Sequence, residues 1–176
     1  MKKLYSLYLY CLIQIQRNMD HIWRHLTGFP MLKRSAITPN LYLGGQYKIN
    51  SVTILKRLGI TAIVSMRMRE VPYRDMLTDF HLLHLPTPDR HAPTMADLKK
   101  GVFFIEKEIK NNGKVYIHCR AGEGRGPTMV IAYLIYSGML YDDAVALIKK
   151  ARTFIDPTPP QVERLKEFGE WVKNRN

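Results

Sequence analysis

The residues with the clearest chemical potential are a cysteine and an arginine six positions apart, Cys119 and Arg125. They lie at the two ends of a glycine-containing loop, which follows a short apolar run and precedes an apolar run at helical spacing. A strand, a tight loop and a helix N-terminus direct backbone N–H groups and a helix dipole at one place, which suits a phosphate dianion. Arg125 can hold two phosphate oxygens with its planar guanidinium. The same positive surroundings favour the nucleophilic thiolate form of Cys119.

Stretches on either side of this loop carry a family resemblance. HCRAGEGR at 118–125 has the form His-Cys-x5-Arg and resembles the signature of cysteine-based protein tyrosine phosphatases. Three further stretches are similar to the small dual-specificity phosphatases: ITPNLYLGGQ at 37–46, LPTPD at 85–89 and AYLI at 132–135. The AGEGR loop and ARTFI at 151–155 resemble the branch with the mitochondrial-type phosphatidylglycerophosphate phosphatases and their bacterial relatives. The resemblance covers about residues 36–172.

The resemblance implies a reaction that uses neither a metal nor a cofactor. The Cys119 thiolate attacks the phosphorus of a phosphomonoester, while Arg125 and the loop amides stabilise charge on the equatorial oxygens. Water then releases phosphate from the phosphocysteine. His118 is expected to order the loop and support the thiolate rather than to transfer protons. The expected phosphate-binding loop consists of Arg120, Ala121, Gly122, Glu123, Gly124 and Arg125.

Two positions in and after the loop are unusual. The family usually has Ser or Thr after the arginine, and that hydroxyl bonds the cysteine sulfur and helps the phosphoenzyme break down. This chain has Gly126 there. Thr128 is the candidate to replace the hydroxyl, and slower hydrolysis is the alternative. Glu123 places a carboxylate at the rim, which is expected to repel strongly anionic substrates and argues against polyphosphoinositides.

The leaving oxygen needs a proton as its bond to phosphorus breaks. Asp89 is the candidate general acid, because it lies in a proline-rich loop after a strand-like run and 30 residues before Cys119. The family places its acid on the equivalent loop. Asp75 and Asp79 are weaker candidates, and the alternative for Asp89 is an ordinary turn residue.

Several functions are compatible with this sequence. The expected activity is hydrolysis of phosphotyrosine, phosphoserine and phosphothreonine in proteins, since the short chain shows no insertion that would deepen the pocket. A phospholipid substrate resembling phosphatidylglycerophosphate is an alternative, supported by the branch resemblance. Another is a phosphate-binding adaptor with poor turnover, because Gly126 replaces the usual hydroxyl. A sulfurtransferase also presents a cysteine on a strand-to-helix loop, but the arginine and glycines favour a phosphatase.

Composition agrees with one domain that contains a substantial core, since 46% of the 176 residues are hydrophobic. The two cysteines, Cys11 and Cys119, do not make a disulfide framework. A catalytic thiolate needs a reducing compartment, so a cytoplasmic location is expected. The net charge of +12 favours phosphorylated substrates or acidic membrane surfaces. No nucleic-acid-reading motif and no metal-ligand spacing are present, so neither partner is expected.

Strand-like and helical patterns alternate along residues 35–176, which form the expected catalytic domain. Strands are predicted at 41–43, 60–65, 80–85 and 114–118. Helices are predicted at 48–58, 94–111, 127–138, 142–151 and 159–173. The alternation predicts an α/β fold, with a single mainly parallel central sheet flanked by helices, as in dual-specificity phosphatases.

Residues 1–34 are predicted to form a separate amphipathic helical segment. Its apolar residues fall on one helical stripe, and six basic residues accompany one acidic residue. The apolar part is too short to span a bilayer. One expectation is that the stripe packs on the catalytic domain's own core. The other is that residues 1–26 hold the protein on an anionic membrane surface. Disorder is a third alternative.

Overall fold

In the computed structural model, which describes residues 2–70 and 73–175, one sheet and six α-helices account for most of the chain. The strands are β1 (Ala36–Thr38), β2 (Leu41–Gly44), β3 (Ala62–Ser65), β4 (His81–His84) and β5 (Val115–His118). The helices are α1 (Lys2–Thr27), α2 (Val52–Arg57), α3 (Met95–Lys110), α4 (Arg125–Tyr136), α5 (Tyr141–Ala151) and α6 (Pro159–Lys173).

The sheet has the order β1-β2-β5-β3-β4 and is parallel except at its edge, where β1 runs antiparallel to β2. The expected α/β class and mainly parallel sheet are therefore confirmed. All four residues of β5 are buried, because this strand lies between β2 and β3 and has both faces covered. Its carboxyl end delivers His118 and then Cys119 to one edge of the sheet.

Two apolar clusters fill the two sides of the sheet. On one side α4 packs centrally and contacts α3, α5 and α6, which explains why nearly every residue of α4 is buried. On the other side α2 covers a smaller cluster that includes Tyr47, Leu55 and Tyr116. The central helix and the central strand therefore both lead to the 119–125 loop, which is supported at its two ends by largely buried elements.

Most predicted elements are found within two residues of their expected ends. The 48–58 prediction is wrong in part, because a 3-10 turn at Ile49–Ser51 precedes a short α2. The antiparallel strand β1 was missed, since three residues are too few to show an alternation. The capping box of α6 is present, with Thr158 as the N-cap and Gln161 as its partner.

Helix α1 is continuous from Lys2 to Thr27 and does not bury its apolar stripe. The expectation that this stripe packs on the catalytic core is wrong. Eight of its large side chains are exposed: Leu4, Leu7, Tyr8, Ile15, Met19, Ile22, Trp23 and Leu26. The opposite, polar face of α1 contacts the catalytic domain instead. No helix in the described part of the chain is long and apolar enough to cross a membrane.

Candidate active site

The loop between β5 and α4 wraps around the Cys119 sulfur. The Gly122 N–H donates to Cys119 Sγ over 3.2 Å, a contact that stabilises negative charge on sulfur. Gly122 has a positive φ of 75°, and a Cβ there would lie 2.5 Å from the Gly44 backbone. Only glycine therefore fits at this turn, where the loop crosses the end of β2. The predicted strand, loop and helix arrangement is the one observed.

Arg125 begins α4 and its side chain is almost fully buried. Its Nη1 donates to the Thr87 carbonyl over 2.9 Å and to the Met66 carbonyl over 3.4 Å. These carbonyls follow β4 and β3, so neighbouring strands orient the guanidinium towards the pocket. Its Nη2 lies 2.7 Å from Asp89 Oδ1. The structure thus brings Cys119, Arg125 and Asp89 to one place.

The loop that carries Asp89 is tied to the N-terminal end of α6. The Thr158 hydroxyl donates to the Arg90 carbonyl and the Gln161 amide donates to the His91 carbonyl, each over 2.9 Å. Arg90 adopts a left-handed backbone with a φ of 63°, which marks a sharp turn beside the candidate acid. The Asp89 carboxylate itself remains largely exposed and can move without breaking these bonds.

The weaker acid candidates lie elsewhere. Asp79 is exposed and pairs with Lys56. Asp75 belongs to the 3-10 turn Arg74–Met76 and is also exposed. Neither lines the pocket that contains Cys119. The geometry favours Asp89 over both.

His118 is fully buried behind the cysteine. Its Nδ1 lies 3.3 Å from the Cys119 carbonyl, which makes Nδ1 the protonated nitrogen. The ring stacks on Tyr116 and contacts the edge of Tyr47. Burial lowers the pKa of His118 to about 4, so the imidazole is neutral near pH 7. A neutral, buried ring suits the expected supporting role rather than proton transfer.

Thr128 does not supply the hydroxyl expected near sulfur. Its Oγ1 donates to the Gly124 carbonyl over 2.9 Å, within the first turn of α4. Gly126 is closer to the chemistry, since a Cβ built on it would lie 3.7 Å from Cys119 Sγ. The hydroxyl that the resemblance leads us to expect is therefore missing at the position from which it would reach the sulfur.

Cys119, Arg125 and Asp89 line one open pocket. Contributions come from the loop, from the Asp89 segment, from the start of α6 and, unexpectedly, from α1. The lining residues are Arg17, His21, Arg24, Asp89, Arg90, Cys119, Arg120, Ala121, Glu123, Gly124, Arg125, Asp156, Thr158 and Gln161. In the described ranges no group of three or more His, Cys, Asp or Glu is placed to hold a metal ion.

A family model, the dual specificity phosphatase catalytic domain, matches residues 41–170. The chain belongs to this family. It is 32% identical over 141 residues to human dual specificity protein phosphatase 16, and 31% identical over 140 residues to rat dual specificity protein phosphatase 15. Each match covers 79% of this chain, but only 21% of the human protein and 58% of the rat protein.

Solved structures show the same fold. PTPMT1 in complex with PI(5)P is 30% identical with a TM-score of 0.72, and the match covers 79% of this chain and 96% of that one. Tk-PTP in the active form is 28% identical with a TM-score of 0.73, and the match covers 80% of this chain and 99% of that one. The expected resemblance to dual-specificity phosphatases is confirmed, as is the resemblance to the branch of the mitochondrial-type phosphatidylglycerophosphate phosphatases, to which PTPMT1 belongs. The family model begins at residue 41, so α1 lies outside it.

Arg152 is a site residue that the sequence analysis missed. Its Nε donates to the Gly122 carbonyl and its Nη2 to the Ala121 carbonyl, each over 2.9 Å. It therefore holds the loop between β5 and α4, which is the expected phosphate-binding loop, from the side opposite the pocket. The side chain is fully buried and pairs with Asp20 of α1 at 2.9 Å. The ARTFI stretch marked this region, but nothing in the pattern linked it to a residue 132 positions earlier.

Glu123 has a different environment from the one expected. Arg17 of α1 contacts both of its carboxylate oxygens, at 3.1 and 2.7 Å. His21 Nε2, one turn further along α1, lies 2.7 Å from Oε1. The carboxylate that was expected to repel anionic substrates is therefore paired with an arginine of α1.

Proposed function

We propose that this chain hydrolyses phosphomonoesters in two steps through a phosphocysteine at Cys119. The thiolate attacks phosphorus, the ester P–O bond breaks, and Asp89 gives its proton to the leaving oxygen. Water then attacks the phosphocysteine, Asp89 takes a proton from it, and the thiolate leaves with its electron pair as inorganic phosphate forms. One observation carries this proposal: Cys119 and Arg125 line the same pocket, and the Gly122 amide donates a hydrogen bond to Cys119 Sγ.

The first substrate class in this proposal is phosphorylated protein, with phosphate on tyrosine, serine or threonine. The support comes from the relatives, which are named dual specificity protein phosphatases. Cys119 is only 3% exposed, yet it lines an open pocket. We place this activity in a reducing compartment such as the cytoplasm, because the nucleophile is a free thiol.

A covalent trap tests the mechanism. Rapid mixing with p-nitrophenyl phosphate followed by acid quench should yield a phosphorylated protein, and peptide mapping should find the phosphate on Cys119. Cys119→Ser should lose hydrolysis yet bind phosphate, because the cradle is mostly backbone. Easily measured turnover by Cys119→Ser would overturn the covalent mechanism. A trapped phosphocysteine without release of phosphate would support the adaptor with poor turnover.

A phospholipid monoester is the second candidate substrate, and a specific observation favours it. The apolar stripe of α1 is exposed, while the polar face of the same helix lines the active-site pocket. An amphipathic helix that lies in a membrane interface would bring the pocket to the surface of the bilayer. Lipid recognition also fits the similarity to PTPMT1, which was solved with PI(5)P.

Vesicle experiments separate the two substrate classes. The full chain should sediment with anionic vesicles at low salt, and Leu4→Glu with Leu7→Glu should abolish sedimentation, since both side chains are exposed. The same variant should hydrolyse soluble phosphopeptides at the rate of the unmodified chain. Comparison of phosphatidylglycerophosphate in vesicles with phosphotyrosine and phosphoserine peptides then gives the preferred class. Absence of vesicle binding would remove the lipid candidate.

A further inference from the structure

Helix α1 supplies one wall of the active-site pocket, although it lies outside the stretch that matches the family. Arg17, His21 and Arg24 are spaced by four and three residues, so they share one face of the helix and all three line the pocket. The wall is fixed from behind by the fully buried pair of Asp20 and Arg152. The position of these cations is therefore part of the folded site and not a property of a loose N-terminal tail.

Some cationic side chains of the pocket are not paired with its carboxylates. Arg17 compensates the charge of Glu123, His21 Nε2 lies within hydrogen-bond distance of the same carboxylate, and Arg125 pairs with Asp89. Three further arginines line the same pocket: Arg24, Arg90 and Arg120. Within residues 2–70 and 73–175, none of these three has a carboxylate oxygen within 4.0 Å. The remaining carboxylate of the pocket is the exposed Asp156.

The three arginines come from three separate segments of the chain, and each takes part in a hydrogen bond through its side chain or its carbonyl. Arg24 comes from α1 and donates Nη1 to the Arg120 carbonyl. Arg90 follows the general acid in a turn tied to Thr158. Arg120 follows the nucleophile and has an exposed side chain. The three therefore line the same pocket as Cys119, which is the pocket that a group attached to the scissile phosphate would occupy.

We propose that Arg24, Arg90 and Arg120 form a second anion subsite, which binds another phosphate group of the substrate a few bonds from the scissile ester. This inference rests on the proposed phosphomonoesterase activity and narrows its substrates to those with two phosphates. The second group is a phosphomonoester or a phosphodiester, because an arginine fork binds the paired oxygens of either. Neutralisation of Glu123 by α1 is what makes the entrance cationic.

Three alkyl substrates with the same leaving-group chemistry test the subsite at constant ionic strength. They are 3-hydroxypropyl phosphate, 1,3-propanediol bisphosphate, and the analogue whose second phosphate is a methyl diester. We expect the second phosphate to raise kcat/KM by roughly 10- to 100-fold over that of 3-hydroxypropyl phosphate. The value for the bisphosphate is first divided by two, because this compound carries two equivalent esters. A gain with both compounds points to lipid-like diesters as well as bisphosphates, and a gain with the bisphosphate alone points to a second monoester.

Matched variants test whether these arginines cause the gain in kcat/KM. Arg24→Gln and Arg90→Asn should each reduce the kcat/KM ratio towards one, and Arg24→Lys should give an intermediate ratio because it keeps charge without the fork. Arg57→Gln is the control, since Arg57 is an exposed arginine of α2 that does not line the pocket. A wild-type ratio within a factor of two of unity, or equal ratios in Arg24→Gln and Arg57→Gln, would overturn the subsite. Failure of the proposed function is distinct, because no compound would then be hydrolysed in a Cys119-dependent manner.

Discussion

The Asp89 carboxylate pairs with the Arg125 guanidinium at 2.7 Å, so the proposed general acid occupies the group that we propose holds the substrate phosphate. Arg125 is buried and fixed by two carbonyls, whereas Asp89 is largely exposed. An incoming phosphate must therefore displace the carboxylate and not the guanidinium. Once displaced, Asp89 remains beside the cradle, where it can reach the leaving oxygen. Substrate binding and placement of the acid are coupled through this one ion pair.

Asp89→Asn should separate these two effects. Alkyl phosphates, which have poor leaving groups, should lose roughly 10²–10⁴ in kcat, because only they depend on an early proton. p-Nitrophenyl phosphate should lose much less. Inorganic phosphate should inhibit the variant more strongly than the wild type, since no carboxylate competes for Arg125. An equal loss on both substrates would mean that Asp89 acts through structure.

Gly126→Ser should restore the hydroxyl that the family usually places near sulfur. Its Cβ would lie 3.7 Å from Cys119 Sγ and 3.0 Å from Leu43 Cδ1, so Leu43 must shift by a few tenths of an ångström. A hydroxyl that donates to the leaving thiolate should speed phosphocysteine hydrolysis by about 10-fold. Rapid-quench measurement of phosphoenzyme decay checks this. Gly126→Ala adds the same Cβ without the hydroxyl, and acceleration in that variant would contradict the explanation.

Much of the site could be predicted from sequence because its parts are close together in the chain. The apolar run before Cys119, the glycines and Arg125 together specify a strand, a turn and a helix start, and these local signals agree with the fold. Asp89 could be predicted for a similar reason. A loop that follows a parallel strand emerges at the sheet edge where the other parallel strands end, which is also the edge that carries Cys119.

The contacts of α1 could not be predicted in this way. Asp20 and Arg152 are paired across 132 positions, and no periodicity connects them. The apolar stripe of α1 dominated its pattern and suggested burial of that face, whereas the polar face is the one that docks, since it meets the loop's Glu123 and the buried Arg152. Long-range charge pairing overrode the hydrophobic signal.

The double variant Arg17→Gln with His21→Asn should weaken binding of anionic substrates. It leaves Glu123 uncompensated beside the phosphate, so KM should rise by about 10-fold while kcat changes less. Adding Glu123→Gln to the same background should return KM towards the wild-type value, because the repulsion is removed. Steady-state kinetics with p-nitrophenyl phosphate at fixed ionic strength measure both. An unchanged KM after the added Glu123→Gln would show that the two residues act by holding the fold.

Asp20→Asn should destabilise the protein strongly. Asp20 and Arg152 are both fully buried, and removal of one charge leaves the other without its partner, which costs about 3–5 kcal/mol in the free energy of unfolding. Deletion of residues 1–26 should act in the same direction. Urea denaturation measures the change. Glu163→Gln is the control, because its pair with Lys166 is exposed and should contribute at most about 1 kcal/mol; similar losses in the two variants would contradict the buried pair's role.

His118 should make the protein less stable in mild acid. Burial lowers its pKa from 6.5 to about 4. Between these values the unfolded chain binds a proton that the folded chain does not. The free energy of unfolding should therefore fall as pH decreases from 6.5 to 4, by up to about 3 kcal/mol, and His118 should add no slope above pH 7.5.

His118→Gln removes the titrating ring, so its stability should depend less on pH within that window, whatever its absolute stability. Urea denaturation of both proteins at pH 7.5, 6.5, 5.5 and 4.5 gives the two curves. Their difference, rather than either curve alone, isolates His118, because carboxylates titrate in both proteins. Parallel curves between pH 6.5 and 4.5 would mean that folding does not lower the pKa of His118.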